Sequence, residues 1–141
     1  MVKVSLKQIE DYKFECVNSM GKSAIIDGPA KIGGADDGVR PMEMVLMGLA
    51  GCSSFDLLSI LRKQRQEVVS LDIDVEGERS DDTPSVYTHI KLIFKIVGEV
   101  SEKKLEKALG LAVEKYCSVA AMLESTAKIS WEYQITPKGE G

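Results

Sequence analysis

The stretch RPMEMVLMGLAGCSSFDLLSIL, residues 40–61, decides the fold. Pro41 has the preset φ of a first helical position, and the carboxylate of Glu43 suits the positive first turn of a helix. Basic residues crowd the far end, where the helix dipole favours positive charge: Arg62, Lys63 and Arg65. These signals predict a helix over residues 41–65.

The apolar residues of this helix cover nearly its whole circumference rather than one stripe. A helix that is apolar all round is expected to be buried all round. One sheet covers only one side of a helix, and a chain of 141 residues has few other elements that could cover the rest. The pattern therefore predicts a homodimer interface on this helix.

Alternating apolar and polar residues flank the helix on both sides. Three such stretches precede it and predict a β-meander whose strands each bury one face: residues 2–6, 12–16 and 23–27. Two longer stretches follow it and predict a hairpin: residues 69–75 and 86–97. Ser101 is expected to cap a second helix, and residues 129–135 to form a last strand. The length favours one domain over residues 1–141.

Charge and hydropathy exclude several classes of function. The net charge of -4 and the absence of a long basic run make nucleic-acid binding a poor expectation. The longest uncharged apolar run, residues 44–55, is twelve residues, whereas a membrane-spanning helix needs about 20. The N-terminus lacks the apolar region of a signal peptide. We therefore expect a cytoplasmic protein that does not act in the membrane.

A glycine-rich segment, GPAKIGGADDGV at residues 28–39, separates the meander from the first helix. Four glycines, a proline and two aspartates disfavour regular secondary structure. We expect a mobile loop that could close over a site.

The cysteines are the best candidates for chemistry. Cys16, Cys52 and Cys117 form an odd, sparse set, and with no CxxC motif and a single histidine, His89, neither a metal site nor a cofactor is expected. Cys52 and Cys117 each lie on or beside a predicted helix. If those helices pack antiparallel, the two Cα atoms could come within the ~7 Å that a disulfide allows. The alternative is structural, because free cysteines are often buried as small apolar groups, and this is the favoured interpretation of Cys16.

A reactive cysteine needs thiolate character. Cys52 lies in the middle of the predicted helix, where the helix dipole helps little, so it would need a nearby cation. Glu43 precedes it by nine residues, two and a half turns, and could hold an arginine between them. The candidate cations are Arg40 and Arg79.

Residues 40–61 and the segment EKYCSVAAMLE, residues 114–124, resemble the two signature segments of the OsmC/Ohr family, the osmotically inducible and organic hydroperoxide resistance proteins. The likeness spans essentially the whole chain and is strongest to the less-characterised branch that carries PMEMVLM. It implies an α+β fold in which two antiparallel sheets surround two long central helices, in an intertwined homodimer.

The resemblance also implies an activity, the thiol-dependent reduction of organic hydroperoxides near the dimer interface. By that likeness the chain is an antioxidant oxidoreductase of the oxidative stress response. Cys52 attacks the peroxide and Cys117 resolves the product, and a dithiol, a lipoyl protein in one branch, supplies the electrons. An alternative is a dimer without enzymatic activity that senses redox state or binds a small ligand.

Two departures from the best-studied branch bear on activity. That branch has glutamate directly after the proline, where this chain has Met42, so Glu43 points about 100° further around the helix. The same branch activates its cysteine with an arginine near the first β-turn, where this chain has Glu10, Asp11 and Lys13. The activating cation is therefore unassigned, and the two departures are compatible with weak activity, with a different substrate or with a redox sensor in place of an enzyme.

Overall fold

A computed structural model describes residues 1–139 of the chain. The fold divides into two compact units, Met1–Val45 and a second unit that begins at Leu46. Each unit contains one three-stranded sheet. That the whole chain acts as a single domain stays a prediction.

The first unit is the predicted antiparallel meander, made of β1 (Val4–Glu10), β2 (Lys13–Asn18) and β3 (Ser23–Ile26). The alternation of Val4 and Leu6 predicts a buried face on β1, and that prediction is wrong. Every residue of β1 is exposed, and these two side chains are 63% and 54% exposed. Alternation identifies a strand but does not supply the surface that covers it.

A buried aspartate organises the glycine-rich loop. The carboxylate of Asp27 accepts hydrogen bonds from the backbone N–H groups of Gly28, Ala35 and Asp37, at 2.7, 3.2 and 3.1 Å. Burial acts to raise the pKa of this carboxyl, but the three N–H donors outweigh it and hold the pKa below its ordinary value. The loop also contains a 3₁₀ turn at Ala30–Ile32. The loop has no regular strand, as predicted, but hydrogen bonds to the side chain of Asp27 hold its backbone in place.

Helix α1 runs over Pro41–Lys63, close to the predicted residues 41–65. Glu43 Oε1 accepts a hydrogen bond from the backbone N–H of Arg40 at 2.8 Å, which caps the start of the helix. At the other end Arg65 adopts a left-handed conformation, with a φ of 58°, and the helix has already stopped.

In the single chain α1 buries one stripe only. Its buried residues recur every fourth position: Leu49, Ser53, Leu57 and Leu61. Phe55, on another face, is 76% exposed. One copy of the chain therefore leaves part of α1 uncovered, and burial of the rest by a second copy stays a prediction.

Helix α1 is long and apolar enough to cross a membrane, by length and composition alone. It has 23 residues, and its most apolar 18-residue window has a mean hydropathy of 1.8. The uncharged run at residues 44–55 underestimates the apolar length of this helix, because the run ends at one charged residue, Asp56, beyond which the helix is again apolar. The length argument against a span is wrong for this helix, although the core helices of soluble proteins pass the same test.

The second sheet has the order β4-β5-β6, with strands Glu67–Arg79, Tyr87–Glu99 and Lys128–Thr136. The β4–β5 hairpin is antiparallel, as predicted, but β6 runs parallel to β5. The sheet is therefore mixed rather than wholly antiparallel. Parallel neighbours need a crossover connection, and a helical segment between β5 and β6 provides it. Alternate residues of β5 form the core: Ile90, Leu92, Phe94 and Ile96.

The crossover consists of three helical pieces. Helix α2 covers Glu102–Leu111, a π-helical turn covers Ala112–Tyr116, and helix α3 covers Ser118–Leu123. Ser101 caps α2, as predicted, by accepting a hydrogen bond from the backbone N–H of Lys104 at 3.4 Å. The second helix is thus interrupted, and the interruption ends at Cys117.

Candidate functional site

Cys117 lies at the junction between the π-helical turn and α3. Its backbone is extended there, with φ and ψ of -67° and 112°. The residue is buried, at 2% exposure, and its N–H donates to the carbonyl of Ala112 at 2.9 Å. Its Sγ accepts a hydrogen bond from the backbone N–H of Ala120 at 3.3 Å. The change of helix type therefore fixes the direction of the thiol, and π-helical turns recur at functional sites.

Ser53 connects α1 to this thiol. It is fully buried within the apolar stripe of α1, and its Oγ donates a hydrogen bond to Cys117 Sγ at 3.4 Å. A second contact joins the residue directly after α1 to the crossover, because Gln64 Nε2 donates to the carbonyl of Lys104 at 3.3 Å. The residues joined by the first contact are 64 positions apart in the sequence, and those joined by the second are 40 positions apart.

Cys52 is the neighbour of Ser53 in the chain and lies beside Cys117 in space. Burial raises the pKa of the Cys117 thiol, while hydrogen bonds from Ser53 and Ala120 oppose that rise. The nearby Cys52 thiol raises the same pKa further. Cys117 is therefore an uncharged thiol at neutral pH. Cys52 is only half-buried, and both cysteines are reduced.

The pair combines one partly accessible thiol with one that is sealed. Oxidation of the accessible sulfur to a sulfenic acid would create an electrophile next to a second thiol, which is the partner that such a group condenses with. Among residues 1–139, no group of three or more His, Cys, Asp or Glu side chains is arranged to hold a metal ion. The chemistry this arrangement can support is thiol chemistry.

Comparison with known proteins identifies the family. Residues 34–132, which include both cysteines of the pair, match the family model for OsmC-like protein. Protein YhfA of Escherichia coli K12 is 37% identical over 131 residues, which cover 92% of this chain and 95% of YhfA. This chain belongs to the OsmC-like protein family.

Solved structures share the OsmC-like fold. The crystal structure of a hypothetical protein from Aquifex aeolicus VF5 superposes with a TM-score of 0.81 and 35% identity, and covers 96% of this chain and 97% of its own. The organic hydroperoxide resistance protein OhrB of Bacillus subtilis superposes with a TM-score of 0.70 and 16% identity, over 95% and 98%. The α+β fold expected from the resemblance is confirmed, while the dimer stays a prediction.

The three charged residues predicted to assist Cys52 make other contacts. The guanidinium of Arg40 donates to the carbonyl of Asp27 at 3.2 Å and pairs with the carboxylate of Asp36. The Asp36 carboxylate accepts a hydrogen bond from Arg40, and this interaction lowers the pKa of Asp36. Arg79 Nε donates to the carbonyl of Ser85 at 3.0 Å, in the β4–β5 connection. Glu43, as described, caps α1 through the backbone of Arg40 rather than through its guanidinium.

Cys16 lies on β2, in the N-terminal unit, and is half-buried. It lines an apolar cavity of about 380 Å³, together with Leu6, Ile26 and Met44. These are the surroundings of a packing residue.

Two residues that matter escaped the sequence interpretation. Ser53 is a polar residue in line with Leu49 and Leu57, which is a signal that its hydroxyl has a buried partner. Asp27 follows a short apolar strand and opens a glycine-rich loop, a position typical of an aspartate that binds backbone N–H groups. Neither signal identifies the partner.

Proposed function

We propose that this OsmC-like protein is a thiol-dependent peroxidase that reduces organic hydroperoxides to alcohols. The observation that carries the proposal is the proximity of Cys52 and Cys117, two thiols of unequal exposure that are 65 residues apart in the sequence. A pair needed only for packing would not require one sulfur to be accessible and the other to be hydrogen-bonded in a buried position.

The reaction begins at Cys52. Its thiolate attacks the O–O bond of the hydroperoxide, an S–O bond forms, and the alkoxide leaves and takes a proton to become the alcohol. The sulfenic acid on Cys52 then condenses with the thiol of Cys117. This step forms the Cys52–Cys117 disulfide and releases water. An external dithiol reduces that disulfide, and a lipoyl protein is one candidate for this role.

Two structural relatives are known as organic hydroperoxide resistance proteins, which supports this class of reaction. OhrB of Bacillus subtilis is an organic hydroperoxide resistance protein. A relative from Legionella pneumophila, with a TM-score of 0.73 and 12% identity, carries the same description and that of a predicted redox protein. The shared fold makes the same scaffold available here for a thiol peroxidase.

The cation that activates Cys52 is part of the proposal. Arg40 and Arg79 are the candidates from the sequence, with Glu43 as the acidic residue that orients the cation. Each arginine would have to leave its present partner, a carboxylate for Arg40 and a backbone carbonyl for Arg79. Each arginine can be replaced by glutamine in a separate variant. The variant that lacks the activating arginine should oxidise Cys52 more slowly than wild type.

We further propose that the protein acts as a homodimer in the cytoplasm. Large apolar side chains exposed on α1 support an interface there, with Met47 at 53% and Phe55 at 76% exposure. Phe55 and Leu58 also line an open groove of about 460 Å³ with Val69 of β4. A second copy of the chain would cover these groups.

Stopped-flow measurement of cumene hydroperoxide consumption, with dithiothreitol as reductant, tests the peroxidase. Wild type should turn over, Cys52→Ser should lose the activity, and Cys117→Ser should accumulate a sulfenic acid on Cys52. Cys16→Ser is the matched control and should retain the wild-type rate. Peroxide consumption by Cys52→Ser at the wild-type rate would overturn the proposal.

One observation favours the second candidate, binding of a small apolar ligand. The N-terminal unit has an apolar cavity of about 400 Å³ lined by Tyr12, Phe14 and Ile32. Thiol titration before and after one equivalent of peroxide separates the two functions. Loss of two thiols per chain supports the peroxidase, whereas unchanged thiols and a bound molecule in native mass spectrometry support the binding protein.

A further inference from the structure

Two adjacent serines of α1 use their hydroxyl groups differently. Ser54 Oγ donates to the carbonyl of Ala50, four residues earlier, at 2.6 Å, the usual bond of a serine within a helix. Ser53 has the corresponding carbonyl of Leu49 in its own helix, yet its Oγ donates to Cys117 Sγ at 3.4 Å. A buried hydroxyl that donates to sulfur instead of to a carbonyl makes the weaker bond, because a thiol is a poor acceptor.

The balance changes when the sulfur is charged, because hydrogen bonds to charged acceptors are about twice as strong as neutral ones. Ser53 therefore gains most when Cys117 is a thiolate. The N–H of Ala120 is a second donor to the same sulfur, at 3.3 Å. Together these donors oppose the effect of burial on the pKa of Cys117.

We infer that Ser53 is a positioning residue for the resolving step, holding Cys117 Sγ beside Cys52 and stabilising it as a thiolate. This inference rests on the proposed function and deepens it. It assigns to Ser53 no part in the attack of Cys52 on the peroxide.

The resolving step balances as follows. The Cys117 thiol gives up its proton, which the departing hydroxide takes up in the end, and the thiolate attacks the sulfur of the Cys52 sulfenic acid. The S–S bond forms, the S–O bond breaks, and the departing hydroxide takes a proton and becomes water. Cys52 and Cys117 each end as half of a cystine, and no further oxidant is needed. Ser53 donates throughout to the attacking sulfur.

The experiment compares Ser53→Ala with Ser54→Ala, the matched control from the neighbouring position. After one equivalent of cumene hydroperoxide, Ser53→Ala should oxidise Cys52 at the wild-type rate but form the disulfide about tenfold more slowly. Its sulfenic acid should persist and be trapped by dimedone. Ser54→Ala should form the disulfide at the wild-type rate.

A pH profile separates this role from simple packing. The midpoint at which disulfide formation accelerates should move to higher pH in Ser53→Ala, because the thiolate has lost a donor. Ser53→Thr, which keeps the hydroxyl, should restore the midpoint. A slower rate with an unchanged midpoint would assign Ser53 to packing alone and overturn the inference.

The role of Ser53 can be tested separately from the peroxidase activity. In a chain carrying Cys16→Ser and Cys52→Ser, Cys117 is the only cysteine, and the ultraviolet absorbance of its thiolate reports its titration without any peroxide. Adding Ser53→Ala should raise the titration midpoint, and Ser54→Ala should not. If wild type forms no sulfenic acid, the proposed function falls. If Ser53→Ala leaves the midpoint unchanged, the inference about Ser53 falls.

Discussion

Strands β1 and β5 have the same apolar alternation and opposite environments. In β5 the four alternate residues from Ile90 to Ile96 are at most 1% exposed, whereas Val4 and Leu6 of β1 are more than half exposed. The central position of β5 between two partner strands explains part of this difference. The rest depends on what packs on the face of each sheet, which alternation does not encode.

The comparison shows which strand contributes more to the free energy of unfolding. Burial removes apolar area from water, and each fully buried large side chain contributes about 1.5–3 kcal/mol. By this measure β5 anchors the second unit, while β1 has apolar residues whose burial would require a further surface. Substitutions on the two strands should therefore differ in size and in their dependence on protein concentration.

The largest effect is expected from Phe94→Ala in β5. Phe94 is 0% exposed, so removing its ring leaves a cavity in the core and should lower the free energy of unfolding by about 3–5 kcal/mol. Urea denaturation followed by the fluorescence of Trp131, the only tryptophan, measures it, since β6 pairs with β5 around this residue. A loss of unfolding free energy below about 1 kcal/mol would mean that β5 does not anchor the second unit.

The next effect concerns two glycines with positive φ, one in a turn of the first unit and one in β5 of the second. A Cβ at Gly98, where φ is 153°, would lie 2.2 Å from the carbonyl oxygen of Glu67, so Gly98→Ala should cost about 2–4 kcal/mol. At Gly21, in the β2–β3 turn, a Cβ meets nothing within 4 Å, and only the strain of the left-handed φ of 79° remains. Gly21→Ala should cost about 1 kcal/mol. Equal losses by chemical denaturation would contradict the steric account.

The local elements were predictable because their signals are local. Pro41 and Glu43 marked the start of α1, and Ser101 marked the start of α2. The end of α1 was misjudged by two residues because Arg65 enters a left-handed turn, and that choice is not visible in its side-chain type. The mixed sheet was missed because the direction of β6 depends on the path of the whole crossover.

The candidate site was predictable only in its residue types. Cys52 and Cys117 were selected as the reactive thiols, but a separation of 65 residues carries no information about contact. That contact arises because a π-helical turn redirects the chain at Cys117 and because α1 turns Ser53 toward it. The activating cation was sought at Arg40 and Arg79, whose observed partners are set by the loop and by the hairpin turn.

A smaller effect should come from Asp27→Asn in the N-terminal unit. The folded pKa of Asp27 lies below its ordinary value of 3.8, so the carboxylate stabilises the fold above that pH. This stabilisation is lost as the pH falls through the lower, folded pKa. The Asp27→Asn variant lacks the carboxylate at every pH, so its acid unfolding should depend less steeply on pH below about 4. Circular dichroism at a series of acid pH values measures the slope, and an unchanged slope would exclude Asp27 as the source.

The smallest effect is expected from Leu6→Ala on β1. Leu6 is 54% exposed, so at low protein concentration the substitution should change the free energy of unfolding by no more than about 0.5 kcal/mol. If a second copy covers β1, the loss should grow as protein concentration rises and the copies associate. Chemical denaturation over a hundredfold range of concentration measures it.

Leu92→Ala on β5 is the matched control for Leu6→Ala. Leu92 is 0% exposed within one chain, so the substitution should cost about 2–5 kcal/mol, largely from the loss of packing within that chain. A loss for Leu6→Ala that is small and constant over the whole range would leave β1 exposed in solution, and the difference between the two strands would then be permanent. A loss that rises with concentration would show that association gives β1 the cover that β5 receives from its own chain.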